Sequence, residues 1–580
     1  MPNNLIVNQK SVKDLFQDNK TSFLIPDYQR PYAWGKEECE TLWNDIFEFA
    51  IPDADATKFR SDKDEYFLGP IVTFQNGNRQ LEIIDGQQRL TTLMLLLRAF
   101  HDRFANMQDL NSLQTRDAIG KCIWKTDEFG NPDMQTLKLY SEVATDNDKE
   151  EFLSILRTGL TNNNQKSQYA DNFRFFQQKI QDFLNRFPTY FSYLPIRILN
   201  NCILLPIEAE SQDTALRIFS TLNDRGLPLS DSDIFKAQFY KYYSSKGQKD
   251  LFIDQWKKLE ELCGQILQPK KGTPLDELFT RYMYYIRAKR GNKNTTTEAL
   301  RKFYEQNGYS LLKDDLTFEN LKNLANFWND VSNQDRERFS ERILRRLFVL
   351  HYAPNGMWTY FVSVYYMQHQ NEDFLNNDDA FYHFIDRMIA FIWAYSIYRP
   401  GVNSLRTPLY QEMINIVNDS PVEFKDFKFN EDELRNLMNA YDFYNQRPIT
   451  KAMLAWWAFN KESQKLIILE TLFDIEHIYA KNRAAHETIN NQRSLELLGN
   501  KALLEKRINI RASDYKFIDK KKYYQGFNTS HGITKAGTNI FELKKMSDEF
   551  DDFTEQDIRY RHNEIINGFI EYLRKNNLLQ

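Results

Sequence analysis

Cysteine is scarce. The 580 residues hold four, at Cys39, Cys122, Cys202 and Cys263, and none stands in CxxC spacing. That excludes a disulfide framework and a zinc ribbon and points to a reducing compartment. Long apolar runs are also lacking, and the opening Met1-Pro2-Asn3-Asn4 has no signal-peptide pattern. A soluble, cytoplasmic protein without a membrane partner is expected. Nor is there an excess of positive charge: the net charge is −5 and the isoelectric point about 6.0. Any nucleic-acid contact must come from a local basic patch. No repeat of fixed period and no low-complexity tract occurs. What is present is an ordinary globular balance, 42% hydrophobic and 27% charged, on a chain too long for one core.

One stretch changes character abruptly. Tyr66 to Phe74 and Gln80 to Ile84 read as two strands joined through Asn76-Gly77, a dipeptide that favours hairpin turns. Leu90, Leu93, Met94, Leu97 and Phe100 then recur at helical spacing, and Leu95 and Leu96 make that helix apolar nearly all round, so it should be buried. Between them lies Asp85-Gly86-Gln87-Gln88-Arg89-Leu90-Thr91-Thr92. Asp85 can cap the helix and Gly86 permits a tight turn. Free N–H groups at a helix start attract anions, and Arg89 adds a fork of donors. The joint is a candidate phosphate site; the plain alternative is a capped turn with a surface charge.

Upstream, Tyr28-Gln29-Arg30-Pro31-Tyr32-Ala33-Trp34 is a loop, since its prolines forbid a helix. It offers aromatic faces for a base and Arg30 and Gln29 as donors. Glu37 to Phe49 reads as an amphipathic helix, Leu110 to Arg186 as polar and helical, and Ile203 to Ile207 as a buried strand. Asn223-Asp224-Arg225-Gly226 ends a further helix, where Asn223 could face a ligand or simply close the helix. Ser230 or Asp231 caps the next one. From about Leu300 to Trp457 the chain is helical and aromatic-rich, which favours core packing over base stacking.

A second chemical centre lies at Phe473-Asp474-Ile475-Glu476-His477-Ile478. Taken alone, Glu-His reads as a structural histidine. Asn500 follows within Leu498-Gly499-Asn500, and Asn509 lies beyond it. Carboxylate-His, Asn and a further Asn at helical distance is the layout of a ββα-metal (HNH) nuclease. Phosphodiester hydrolysis needs a base for water, which His477 can be. It also needs a cation to stabilise charge on the phosphate. Glu476 and Asn509 are oxygen donors suited to Mg²⁺ or Mn²⁺. Asn500 would pin the loop or orient His477. From 501 to 522 the chain carries eight Lys/Arg against three acids, among them Lys501, Lys506, Arg507, Arg511, Lys516 and Lys520. That local excess is a candidate DNA surface, with a solvated helix face as the alternative.

Together these motifs resemble GmrSD/SspE-type restriction endonucleases. Tyr28 to Trp34, Ile84 to Thr92 and Phe219 to Gly226 are similar to the three signatures of their ParB/sulfiredoxin-like N-terminal domain. Glu476-His477-Ile478, Leu498 to Leu504 and Asn509 are similar to their HNH domain, and Phe553 to Ile558 with Arg561 to its closing helix. One departure is Ala480, where the family usually has Pro. The resemblance implies a nucleoside-triphosphate pocket at Gln29, Arg30, Asp85, Gly86, Gln87, Gln88, Arg89, Thr91 and Asn223. It also implies divalent-metal cleavage of DNA by Glu476, His477, Asn500 and Asn509.

The expected architecture is α+β and predominantly helical. It has a ParB-like nucleotide-binding and hydrolysing domain at 1–240, a helical middle region at 241–440 and an HNH nuclease domain at 441–580. The expected activity is modification-dependent DNA cleavage in antiphage defence, coupled to nucleoside triphosphate hydrolysis. Expected partners are DNA carrying phage base modifications or phosphorothioates, the nucleotide, and a second copy of the chain as a candidate homo-oligomer. The rival readings are a nucleotide-dependent sensor of DNA modification with an inactive nuclease domain, and an RNA-cleaving toxin.

Overall fold

Helix α2 (Gln87–Arg103) is buried from Leu90 to Phe100 on every face, as its unbroken apolar sequence requires, and the N-terminal part of the molecule is layered around it. The computed structural model describes residues 6–7, 9–19, 21–144, 146–161, 166–212, 214–215, 218, 230–484, 486–487, 489–530 and 532–580. These residues form a predominantly helical α+β architecture with small sheets. They divide into two compact units, Met1–Lys258 and Leu259–Gln580. No helix among them is long and apolar enough to cross a membrane.

In the first unit a mixed sheet of seven strands packs beside α2. The strands are β1 (Ile6–Val7), β2 (Lys10–Ser11), β3 (Phe23–Ile25), β4 (Tyr66–Gln75), β5 (Leu81–Asp85), β6 (Leu139–Ser141) and β7 (Cys202–Ala209). Their order is β1-β7-β4-β5-β3-β6, with β2 also on β7. β4 runs parallel to β7 and antiparallel to β5. Helices α1 (Lys36–Ala50), α3 (Gln168–Arg186) and α4 (Tyr193–Asn201) complete the core. The β4–β5 hairpin lies where Asn76-Gly77 places it, but its turn differs from the expected one. Asn76 Oδ1 accepts from the N–H of Asn78 and of Gln80, and the left-handed residue is Arg79, at φ 61°. The polar segment 110–186 is not helical throughout: Trp124–Thr126 pairs with Pro132–Leu137, and β6 follows. These strands are too short and too polar to show a two-residue period.

In the second unit, helices between Pro274 and Phe459 bury their aromatics. Phe361, Phe391, Trp393 and Trp456 have no exposed surface, so these rings are core and not platforms for bases, while Trp358 and Tyr360 are half-buried. Two antiparallel strands follow, β8 (Phe473–His477) and β9 (Lys501–Glu505), in a register that sets His477 opposite Lys501 and Glu476 opposite Ala502. Helix α6 (Lys506–Ala512) continues directly from β9 and packs on both strands. Helices α7 (Phe517–Gln525), α8 (Phe541–Glu549) and α9 (Glu555–Lys575) close the unit.

Candidate functional sites

The joint between β5 and α2 turns on Gly86, whose φ of 96° is left-handed. Gly86 is itself the N-cap and supplies no side-chain acceptor. Asp85, expected as the cap, instead ends the strand. Its carboxyl accepts from the Gly86 N–H; burial pushes its pKa up, and the Arg89 and Arg30 guanidiniums oppose that. Arg89 donates through Nη1 to the Pro70 carbonyl at 2.8 Å. Its guanidinium lies against Gly69, where φ is 123° and an added Cβ would come within 2.9 Å of Cζ. Burial pulls the Arg89 pKa down, and the Asp85 carboxylate acts against that.

The glutamines splint two segments together. Gln88 donates to the Pro31 carbonyl and accepts from the N–H groups of Ala33 and Trp34. Gln87 donates to the Arg30 carbonyl at 3.3 Å, and its Oε1 is buried without a partner among the described residues. Gln29 donates to the carbonyls of Ile83 and Ile84. These amides hold the Tyr28–Trp34 loop over the end of β5, and so place Arg30 beside Asp85. Thr91 is buried one turn further along α2. Thr92 bonds the Tyr32 hydroxyl at 2.6 Å. Asn223 lies outside the described residues.

One residue that sequence reasoning missed, Asp233, joins this cluster. Helix α5 (Asp231–Ser245) starts with a capping box between Ser230 and Asp233, and its Ala237 packs with Tyr28, Val72 and Ile84. The Asp233 carboxyl is raised by burial, with Arg30 and Lys236 among the charges that oppose the shift. In the sequence, Ser-Asp-Ser-Asp reads only as a cap.

At the second centre, strand alternation sends Glu476 and His477 to opposite faces. His477 stands at the end of β8. Burial first, then the ammonium groups of Lys501 and Lys481, lower its pKa to about 3. The imidazole is therefore neutral at physiological pH, and its Nε2 is enclosed without a hydrogen-bond partner among the described residues. Asn500, fully buried, clamps the loop just beyond: its Oδ1 accepts from the Tyr479 N–H at 2.7 Å and its Nδ2 donates to the Tyr479 carbonyl at 3.1 Å. Arg561 on α9 holds the same segment from behind. It donates to the carbonyls of Leu498, Gly499 and Lys501 and is itself held by Glu542. Burial alone would raise the Glu542 pKa; the Arg561 charge outweighs it and sets the carboxyl at about 2.

Glu476 faces inward. Lys520 Nζ lies 2.7 Å and the Tyr524 hydroxyl 2.6 Å from its Oε1. Burial raises its pKa; Lys520 and Tyr524 oppose the shift, while the nearby Asp514 carboxylate adds to it. Asn509 is half-buried on α6. Among the described residues no group of three His, Cys, Asp or Glu side chains gathers as a metal cage. Glu476 and Asn509 carry hard oxygen donors of the type Mg²⁺ prefers, but the Glu476 carboxylate is buried and engaged by Lys520 and Tyr524.

The basic segment needs correction. Lys501 and Lys520, expected on a DNA-facing surface, are 0% and 1% exposed. Lys501 donates to the Phe443 carbonyl, Asn445 and Glu496. A buried ammonium has to be paired, and these two are paired within the protein. Lys506, Arg507 and Lys516 remain on the surface, with Arg511 half-exposed; Lys516 also pairs with Glu487.

Residues 12–240 match the family described as the N-terminal domain of GmrSD restriction endonucleases, and residues 428–567 match the C-terminal domain of the same enzymes. Comparison with curated proteins gave no match.

Proposed function

The chain belongs to the GmrSD restriction endonuclease family, and from that premise we propose that it is a modification-dependent DNA endonuclease whose C-terminal HNH-type site cuts DNA with a divalent cation while a ParB-like N-terminal site hydrolyses a nucleoside triphosphate. Restriction-type DNA cleavage is the family's activity; the two-site chemistry is the proposal. The observation that carries it is His477: an imidazole at a clamped strand end, with Nε2 enclosed and without a hydrogen-bond partner among the described residues.

His477 accepts the proton of the attacking water at Nε2, the ring nitrogen that has no partner among the described residues. Asn500 and Arg561 keep the strand end and the following loop in place while the proton moves. Glu476 and Asn509 would hold Mg²⁺ or Mn²⁺, which supplies charge stabilisation at the phosphate and the leaving oxygen. Lys506, Arg507, Arg511 and Lys516 attract the DNA backbone. In the first unit, Arg89 and Arg30 bind the triphosphate at the start of α2, where free N–H groups favour an anion. Gln29, Gln87 and Gln88 position the Arg30 loop, and Asp85 orients Arg89.

The sensor reading draws on the buried pairing of Glu476 with Lys520, and the toxin reading on the same HNH layout. One set of reactions separates all three. Plasmid DNA, phage DNAs with different modifications, and RNA are incubated with the full chain, a nucleoside triphosphate and Mg²⁺ or Mn²⁺, with and without EDTA. Cleavage of a modified DNA that EDTA stops is the expected result. RNA cleavage alone would favour the toxin, and cleavage of neither nucleic acid would favour the sensor.

A further inference from the structure

The loop 441–447 joins the helices Glu431–Ala440 and Pro448–Phe459, and it is tied to the strand pair that carries His477. Opposite residues of an antiparallel pair share a face, so the Lys501 side chain stands on the face of His477. Its ammonium donates to the Phe443 carbonyl at 2.5 Å and to Asn445 Oδ1 at 2.8 Å. The Phe443 ring is fully buried, which pins the loop from inside. The neighbouring rings stay at the surface: Tyr444 is 43% exposed and Tyr441 half-buried. The exposed Arg447 guanidinium lies over both, with Cζ 4.6 Å from the Tyr441 centroid and 5.5 Å from that of Tyr444.

We propose that the loop 441–447 is a second DNA-binding surface, beside His477 and apart from the basic helix α6, with Arg447 as its phosphate contact. Its place beside the cleavage chemistry rests on the reading of His477 as the general base; DNA as the partner follows from the family. Charge favours a polyanion here. The loop and the side chains that tie it down carry four cations, Arg447, Arg493, Lys481 and Lys501, against two carboxylates. Asp442 pairs with Arg493, and Glu496 is shared by Lys481 and Lys501. Arg447 alone of the four has no carboxylate partner among the described residues. A guanidinium laid over aromatic rings is held in place by its flat face, and its edge donors remain free for a bidentate phosphate. Little ordering is then left for the moment of binding. The exposed Tyr444 ring adds a flat surface next to that contact.

The test is fluorescence anisotropy of a labelled DNA duplex, and of an RNA duplex of the same sequence, titrated with the full chain in EDTA over a series of salt concentrations. Loss of one charge-assisted phosphate contact predicts DNA binding weaker by about tenfold in Arg447→Ala. The slope of log affinity against log salt should fall by about one. Arg447→Lys keeps the charge and should restore the slope, which a merely structural role would not require. The KM for DNA cleavage should rise in Arg447→Ala in step with the lost affinity. Parental affinity and slope in Arg447→Ala, with clear DNA binding by the parent, overturn the proposal; so does a parent that binds the RNA duplex alone, or neither duplex. Should Arg447→Ala fail to fold, Arg447→Gln decides by the same two readouts. Because binding is read without cleavage, parental cleavage by His477→Ala would contradict the assignment of the base and leave the Arg447 result standing.

Discussion

Arg89 is the residue on which the first site depends. Its guanidinium is anchored on the Pro70 carbonyl and flanked by Gly69, where there is no room for a side chain. A charge-assisted contact to phosphate is worth about 1.5–3 kcal/mol, so Arg89→Ala should weaken triphosphate binding by about tenfold to a hundredfold. Gly69→Ala should act in the same direction with Arg89 still present. The left-handed φ at Gly69 strains any other residue, and the new methyl displaces the guanidinium. Calorimetric titration of both variants with a nucleotide panel checks this; parental affinity in Arg89→Ala would remove the phosphate site. The sequence made Arg89 and Gly86 legible because a strand period gives way to a helix period across them. It did not make Gly69 or Asp233 legible. The reason for the first is a contact across the sheet, and for the second a charge brought near by an α5 that folds back onto Tyr28.

At the scale of elements, the β8–β9 pair works because α9 presses on the turn before β9. A Cβ added at Gly499 would run into the Ile558 carbonyl and the His562 backbone. Such an overlap with helix backbone cannot be relieved by a side-chain rotation, and overpacking costs about 1–3 kcal/mol or more. Gly499→Ala should therefore lower the unfolding temperature of the C-terminal unit and with it cleavage, while nucleotide binding in the N-terminal unit persists. Separate melting of the two units by calorimetry, with loss only in the second, is the expected readout. Periodicity located α2 and the strands on either side of the Asn76 turn, since long regular patterns dominate there. It failed for the short hairpin at Trp124 and for the cap at Asp85, where one residue's backbone angle decides. It failed again for the basic run from Lys501. Composition counts charges, but both faces of β9 are buried, and so the first lysine of the run lies inside.

At the scale of the whole molecule, the proposal sets two reactions on one chain. If nucleotide turnover gates the nuclease, Arg89→Ala should change DNA cleavage as well as nucleotide affinity, although Arg89 and His477 belong to different units. Lost nucleotide affinity with unaltered cleavage would mean two independent enzymes. The most direct measurement of the central claim uses one preparation of folded His477→Ala and two assays, DNA cleavage with Mg²⁺ and nucleoside triphosphate hydrolysis. Removing the general base predicts cleavage slower by about 10²–10⁴-fold with nucleotide hydrolysis retained. Cleavage at the parental rate would contradict the assignment of His477 as the base.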